Sequence, residues 1–125
     1  GIADKVKFLG YRQDVPSLLQ IADFFVFASK REGLPRSVME AMMAGLPIVA
    51  ADVRGCRDLV KDGENGFLVP VGDVSKTSEA IISLIKNQDL RRKMGYNSAE
   101  MVKKYTLEEV MKELTAVYKR YGINL

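Results

Sequence analysis

The chain has 125 residues, 47% hydrophobic and 28% charged, which suits one globular domain with a real core and excludes a disordered chain. Its 19 basic and 16 acidic residues leave a net charge of +3, too small a surplus to argue for nucleic acid as a partner. A single cysteine, Cys56, and the absence of histidine exclude an intramolecular disulfide, His-based nucleophile pairs and His metal sites.

In chain order, residues 6–9 form a first apolar run with the look of a strand. Residues 14–22 then read as a helix, with Asp14 as an N-cap signal and Pro16 in the first turn. Residues 24–28 and 48–51 lack polar alternation, as expected of parallel strands covered on both faces. Between them residues 37–44 read as a helix ended by Gly45. Asp62-Gly63-Glu64-Asn65-Gly66 is a turn that feeds a last short strand at residues 67–69. From Val74 the pattern is helical. Ile81, Leu84 and Ile85 give one apolar face, and Leu90, Met94, Met101, Val102 and Tyr105 give a second, interrupted helix. Thr106-Leu107-Glu108-Glu109 reads as a capping box. It opens a helix whose apolar face is Leu107, Val110, Met111, Leu114, Val117, Tyr118 and Tyr121. Strand-helix alternation of this kind predicts an α/β fold, a doubly wound parallel sheet with C-terminal helices. With no repeat or linker, residues 1–125 read as one unit.

Residues 86–104 carry six basic side chains (Lys86, Arg91, Arg92, Lys93, Lys103, Lys104) against Asp89 and Glu100. Such a stretch suits either a solvated helix face or peripheral contact with an anionic membrane surface. No apolar run approaches the ~20 residues that span a bilayer, and the amino terminus has no signal-peptide pattern. A cytoplasmic setting is the expectation, with membrane contact at most peripheral.

The chemistry concentrates in residues 29–47. This segment follows an apolar strand and opens a helix, so it falls at the carboxyl edge of the sheet, where doubly wound folds bind ligands. Gly33 lets backbone approach a ligand, and the helix start offers unpaired amides and a positive dipole end, features that suit a diphosphate. Glu32 and Glu40, with seven residues between them, bracket the turn and can share one crevice. Ser37-Val38-Met39-Glu40 also reads as a capping box, which would reduce Glu40 to a helix-start residue; Pro35 at the first helical position argues against it. Cys56, without a paired ligand, reads as a structural, inert thiol.

The pattern S-x-x-E-G-(x6)-E-A-x-x-x-G-x-P-(V/I)-V-A resembles the signature of family 4 retaining glycosyltransferases. The flanks agree: Phe8-Leu9-Gly10-Tyr11, Ala22-Asp23-Phe24-Phe25-Val26, and Gly55-Cys56-Arg57-Asp58-Leu59-Val60 followed by Gly63 and Asn65-Gly66-Phe67-Leu68-Val69. Asp58 departs from the glutamate usual at its position. The resemblance implies a Rossmann-like sheet and a partial C-terminal domain of the two-Rossmann-domain (GT-B) type. It implies that Glu32 lies at the donor sugar and reaction centre and that Glu40 accepts hydrogen bonds from the ribose hydroxyls. The backbone at Gly33, Leu34, Pro35, Arg36, Ser37 and Val38 would cradle the diphosphate, and Gly10, Tyr11 and Arg12 would meet the base.

The implied function is transfer of a hexosyl group, with retention, from a nucleotide-sugar donor to a saccharide or lipid-linked acceptor. No metal or other cofactor is implied. The acceptor-side domain, the opening strands of the C-terminal domain and the upstream Arg and Lys that neutralise donor phosphates are not in this sequence, so the chain alone is expected to be inactive. Two other readings stand beside it: a nucleotide-sugar epimerase-like isomerase and a non-catalytic nucleotide-binding domain. Without the opening strands, residues 24–28 would expose a sheet edge. The chain is then expected to dock residues 6–9 beside that edge or to pair as a homodimer.

Overall fold

Three parallel strands form a sheet in the order β1 (Phe25–Phe27), β2 (Ile48–Ala51), β3 (Gly66–Val69) in the computed structural model, which describes residues 1–124. Phe25 pairs with Ile48 and Ile48 with Gly66. The helices are α1 (Val15–Ile21), α2 (Arg36–Met43), α3 (Arg54–Leu59), α4 (Val74–Lys86), α5 (Gln88–Val102) and α6 (Leu107–Arg120). All four β2 residues are buried, because helices cover both faces of the sheet. Ile48 and Ala50 belong to a core built with Val38, Ala41 and Met42 of α2 and Cys56 and Leu59 of α3. Val49 joins a second core with Val69, Ala80 and Leu84 of α4 and Met94 of α5. Burial of side chains this size stabilises by about 1.5–3 kcal/mol each. The doubly wound parallel arrangement is therefore present.

Two close backbone approaches fix how the layers meet. A Cβ on Gly95 would stand 2.3 Å from the Gly45 carbonyl oxygen, so only glycine lets α5 lie across the end of α2. Gly45 itself holds φ at 75°, a left-handed helix stop that costs other residues strain. At the start of β3, a Cβ on Gly66 would fall 1.7 Å from Ile48 O. The neighbouring Asn65 is fully buried. Its amide donates to Leu59 O at 3.1 Å and accepts from Lys61 N at 2.8 Å, while its carbonyl accepts from Ile48 N at 3.0 Å. The Asn-Gly pair is thus structural: it ties α3, β2 and β3 together.

Several expectations need correction. Residues 6–9 form no strand; they are exposed, Phe8 to 98%. Docking of that run beside β1 is overturned. A four-residue edge strand gains few hydrogen bonds against about 1–2 kcal/mol of backbone entropy per residue, and Gly10, at φ 66°, ends the extended run. The outer edge of β1 consequently has no partner among the described residues. The outer edge of β3 differs, since Asp62 Oδ1 accepts from Leu68 N at 3.0 Å and blunts it. Helix α3 was not among the expected elements, because its apolar residues Cys56 and Leu59 are too few to show a period. Finally, α6 forms as expected but buries none of its residues.

Candidate functional site

The helices divide by how they begin. Asp73, Asn87 and Thr106 cap α4, α5 and α6 with side-chain acceptors at 2.9, 3.0 and 3.4 Å. Helices α1, α2 and α3 begin without a side-chain cap; α2 starts at Arg36 with Pro35 as N-cap, and Pro35 has no acceptor to offer. Pro35 thus sits one position earlier than expected, and, lacking an N–H, it has no donor to give the diphosphate cradle that the sequence led us to expect. Ser37 lies inside the helix, so the Ser37-to-Glu40 capping box does not form. The first bond is Met39 N to Pro35 O at 3.2 Å. The amides of Arg36 and Ser37 therefore open outward at the helix start with no partner among the described residues, whereas Val38 is fully buried in the core and, contrary to expectation, offers no exposed amide to a ligand.

The two glutamates flank that start. Ser29 Oγ stands 2.9 Å from Glu32 Oε1 and 3.0 Å from Arg31 O, so one hydroxyl proton serves both and steadies the carboxylate. Glu32 O accepts from Gly55 N at 3.2 Å, fastening the turn to α3. A Cβ on Gly55 would fall 1.7 Å from Gly33 O, so the turn needs glycine beneath it. Glu40 sits in the second turn of α2, and its one ion pair among the described residues is with Arg36, Nε at 3.9 Å. Glu40 also lines an open cleft of about 240 Å³ between α1 and α2, with Pro16, Leu19, Gln20, Met43 and Ala44.

Glu32 is fastened to Ser29 and α3 at one end of the 33–38 turn, while Glu40 faces the cleft with α1 beyond its other end. Gly10, Tyr11 and Arg12 stand apart from the turn: none of them bonds to it among the described residues, and Tyr11 is 92% exposed. Arg12 is held by Asp14 through two hydrogen bonds, at 2.7 and 2.6 Å. Those bonds raise the guanidinium pKa and lower that of the carboxyl. Sequence reasoning gave no role to Ser29, although the serine was part of the pattern, nor to Gly55 as the seat of the turn. The α1 residues of the cleft carried no signal beyond helical periodicity.

Cys56 is fully buried, and burial, then Glu32 and Asp52, push its thiol pKa up, which agrees with an inert thiol. In the basic stretch, Arg91 Nη1 donates to Leu84 O and Ile85 O at 2.5 and 3.0 Å, and Lys103 pairs with Glu100 at 2.8 Å. Part of that charge is therefore spent inside the protein. No described helix is long and apolar enough to cross a membrane.

Known proteins resemble this chain in sequence and in fold. EpsD of Bacillus subtilis (strain 168) is 36% identical over 121 residues, 97% of this chain and 32% of that protein. N,N'-diacetylbacillosaminyl-diphospho-undecaprenol alpha-1,3-N-acetylgalactosaminyltransferase of Campylobacter jejuni is 32% identical over 115 residues, 92% of this chain and 31% of that enzyme. Among solved structures, HepE of Anabaena in complex with UDP-glucose superposes with a TM-score of 0.83 at 28% identity, covering 98% of this chain and 34% of that one. The chain thus spans about a third of the length of these relatives. It shares their Rossmann-like GT-B fold. The family model described as "Glycosyl transferases group 1" matches residues 1–101. This chain belongs to the group 1 glycosyl transferases.

Proposed function

We propose that the chain is the donor-binding C-terminal domain of a retaining glycosyltransferase, which moves a hexosyl group from a nucleoside diphosphate sugar to a saccharide or lipid-linked acceptor. The observation that carries this reading is the uncapped start of α2, with Glu32 and Glu40 on either side of it. In this reading the amides of Arg36 and Ser37 receive the diphosphate, whose charge grows as the sugar leaves, and Val38 anchors the helix start from the core beneath. Glu40 accepts from the ribose hydroxyls, and Glu32, oriented by Ser29, faces the sugar. Gly10, Tyr11 and Arg12 complete the site at the base once the donor is bound. No metal is called for in this reading, because the helix amides meet part of the charge and basic side chains from the remaining length of such relatives would meet the rest.

The solved neighbour holds UDP-glucose, and the Campylobacter jejuni relative is named for a diphospho-undecaprenol acceptor; both support this substrate class. The remaining length of such relatives would supply the acceptor side, so this chain alone binds donor without transfer. The docking surface for the acceptor then lies at the cytoplasmic face of a membrane when that acceptor is lipid-linked.

Calorimetric titration of the chain with UDP, GDP and their hexose conjugates tests the donor site. Saturable binding of one nucleotide class is expected, and heat from none of them would sink the reading. Product formed by this chain alone with a saccharide or prenyl diphosphate acceptor would contradict its proposed dependence on a second domain. In the whole enzyme, a product anomer inverted relative to the donor would remove the claim of retention.

A further inference from the structure

Arginine at the rim of the turn comes from α3. Gly55 is seated against Gly33 O and bonds Glu32 O, so its neighbour Arg54, the first residue of α3, borders the turn wherever the turn goes. Arg54 is exposed, and no hydrogen bond or ion pair engages its guanidinium among the described residues. One turn on, Arg57 is different: Asp52 Oδ1 holds its Nε at 2.6 Å. Asp52, the acid nearest Arg54 in sequence, is therefore already occupied. A cation in the first turn of a helix also works against the helix dipole, and α3 has no acid in that turn to offset it. A residue that breaks a local rule without a partner in the protein fits a partner outside it.

We propose that Arg54 supplies a guanidinium to a phosphate group bound over the Glu32–Gly33 turn. This rests on the donor-site reading given above and adds a residue to it. The chemistry is bidentate: a guanidinium fork presents two N–H donors to two phosphate oxygens, which a lysine cannot match. The phosphate belongs either to the diphosphate of the donor or to that of a lipid-linked acceptor lying across the same turn.

The test uses the whole chain as Arg54→Gln, Arg54→Lys and wild type, with Arg92→Gln as control. Arg92 is exposed on α5 and lines a groove with Pro47 and Asp23, which precede their strands, at the sheet edge opposite the turn. Thermal melts of Arg54→Lys and Arg92→Gln should match wild type, and Arg54→Gln, which lifts a cation from the start of α3, should melt no lower than wild type. Uridine, UMP and UDP (or the guanosine series, whichever the wild type binds) are titrated first, then a short-chain prenyl diphosphate with nucleotide saturating. For a donor phosphate, Arg54→Gln weakens the diphosphate about tenfold, leaves the nucleoside unmoved, and Arg54→Lys recovers only part. For an acceptor phosphate, only the prenyl diphosphate weakens. Equal affinities in wild type and Arg54→Gln for both ligands overturn the proposal while leaving the donor site intact. A wild type that binds neither ligand overturns the donor-site reading and the proposal together.

Discussion

Glu40 shows how a side chain can be read two ways and then separated by where a helix begins. Because α2 starts at Arg36 and Ser37 caps nothing, Glu40 has no structural duty at the helix start. Glu40→Gln is therefore expected to leave the melting temperature unchanged and to weaken nucleoside diphosphate binding by about 1.5–3 kcal/mol, the scale of a hydrogen bond to a charged group. Calorimetry beside a thermal melt checks both halves. Gly55→Ala should do the reverse of an isolated binding change. Its methyl would overlap Gly33 O, so backbone must move, and both stability and nucleotide affinity should fall, stability by about 2–3 kcal/mol. Cys56 provides a chemical probe of the same corner. Its thiol should resist alkylation in the native chain and react on unfolding. Its raised pKa means that the neutral thiol stabilises the fold fully below the unfolded-state pKa. That contribution is lost as pH rises toward and through the higher folded value. Denaturation midpoints that rise between pH 8 and pH 10 would contradict that sign.

At the scale of elements, the alternation of strands and helices was legible because period and burial agree: β2 is apolar throughout and buried throughout. The turn with Glu32 and Glu40 was legible too, since its chemistry is local in sequence. What sequence could not give was the seat beneath that turn, because Gly55 meets Gly33 only in three dimensions. Residues 6–9 misled for a related reason. An apolar run states a capacity to pair, but the bonds gained must outweigh the entropy of ordering it, and this short run stays unpaired although the β1 edge is open. The stripe on α6 is the same lesson on a helix: Leu107, Val110, Met111, Leu114, Val117 and Tyr118 keep their helical spacing yet remain exposed. Helix α6 should accordingly be the least protected helix. Isolated helices of this length are marginal in water, so Thr106→Ala, which removes its cap, should lower helical content by fraying α6 with no shift in the main melt. Circular dichroism at low temperature measures this, and a lowered main transition would show that α6 is part of the core unit.

For the whole molecule, the two edges of the sheet set its behaviour in solution. The β3 edge is blunted by Asp62, while β1 offers an open row of amides and carbonyls beside the half-exposed Val26. Concentrated samples are expected to self-associate through β1. Val26→Pro, which removes one donor from that row, should return light scattering to the monomer mass. The order β1-β2-β3 carries a further consequence, one of time rather than of contact. Strands that neighbour one another in space in the order in which they follow along the chain need only local loop closures, so the sheet can assemble as the chain leaves the ribosome. One tie does not obey that sequence: Gly45 waits for Gly95, and α2 stays uncovered until α5 has been made. Synthesis is thus the interval in which the end of α2 at Gly45 lies open. A chaperone that reads apolar surface has its opportunity there, and loses it when the two glycines meet.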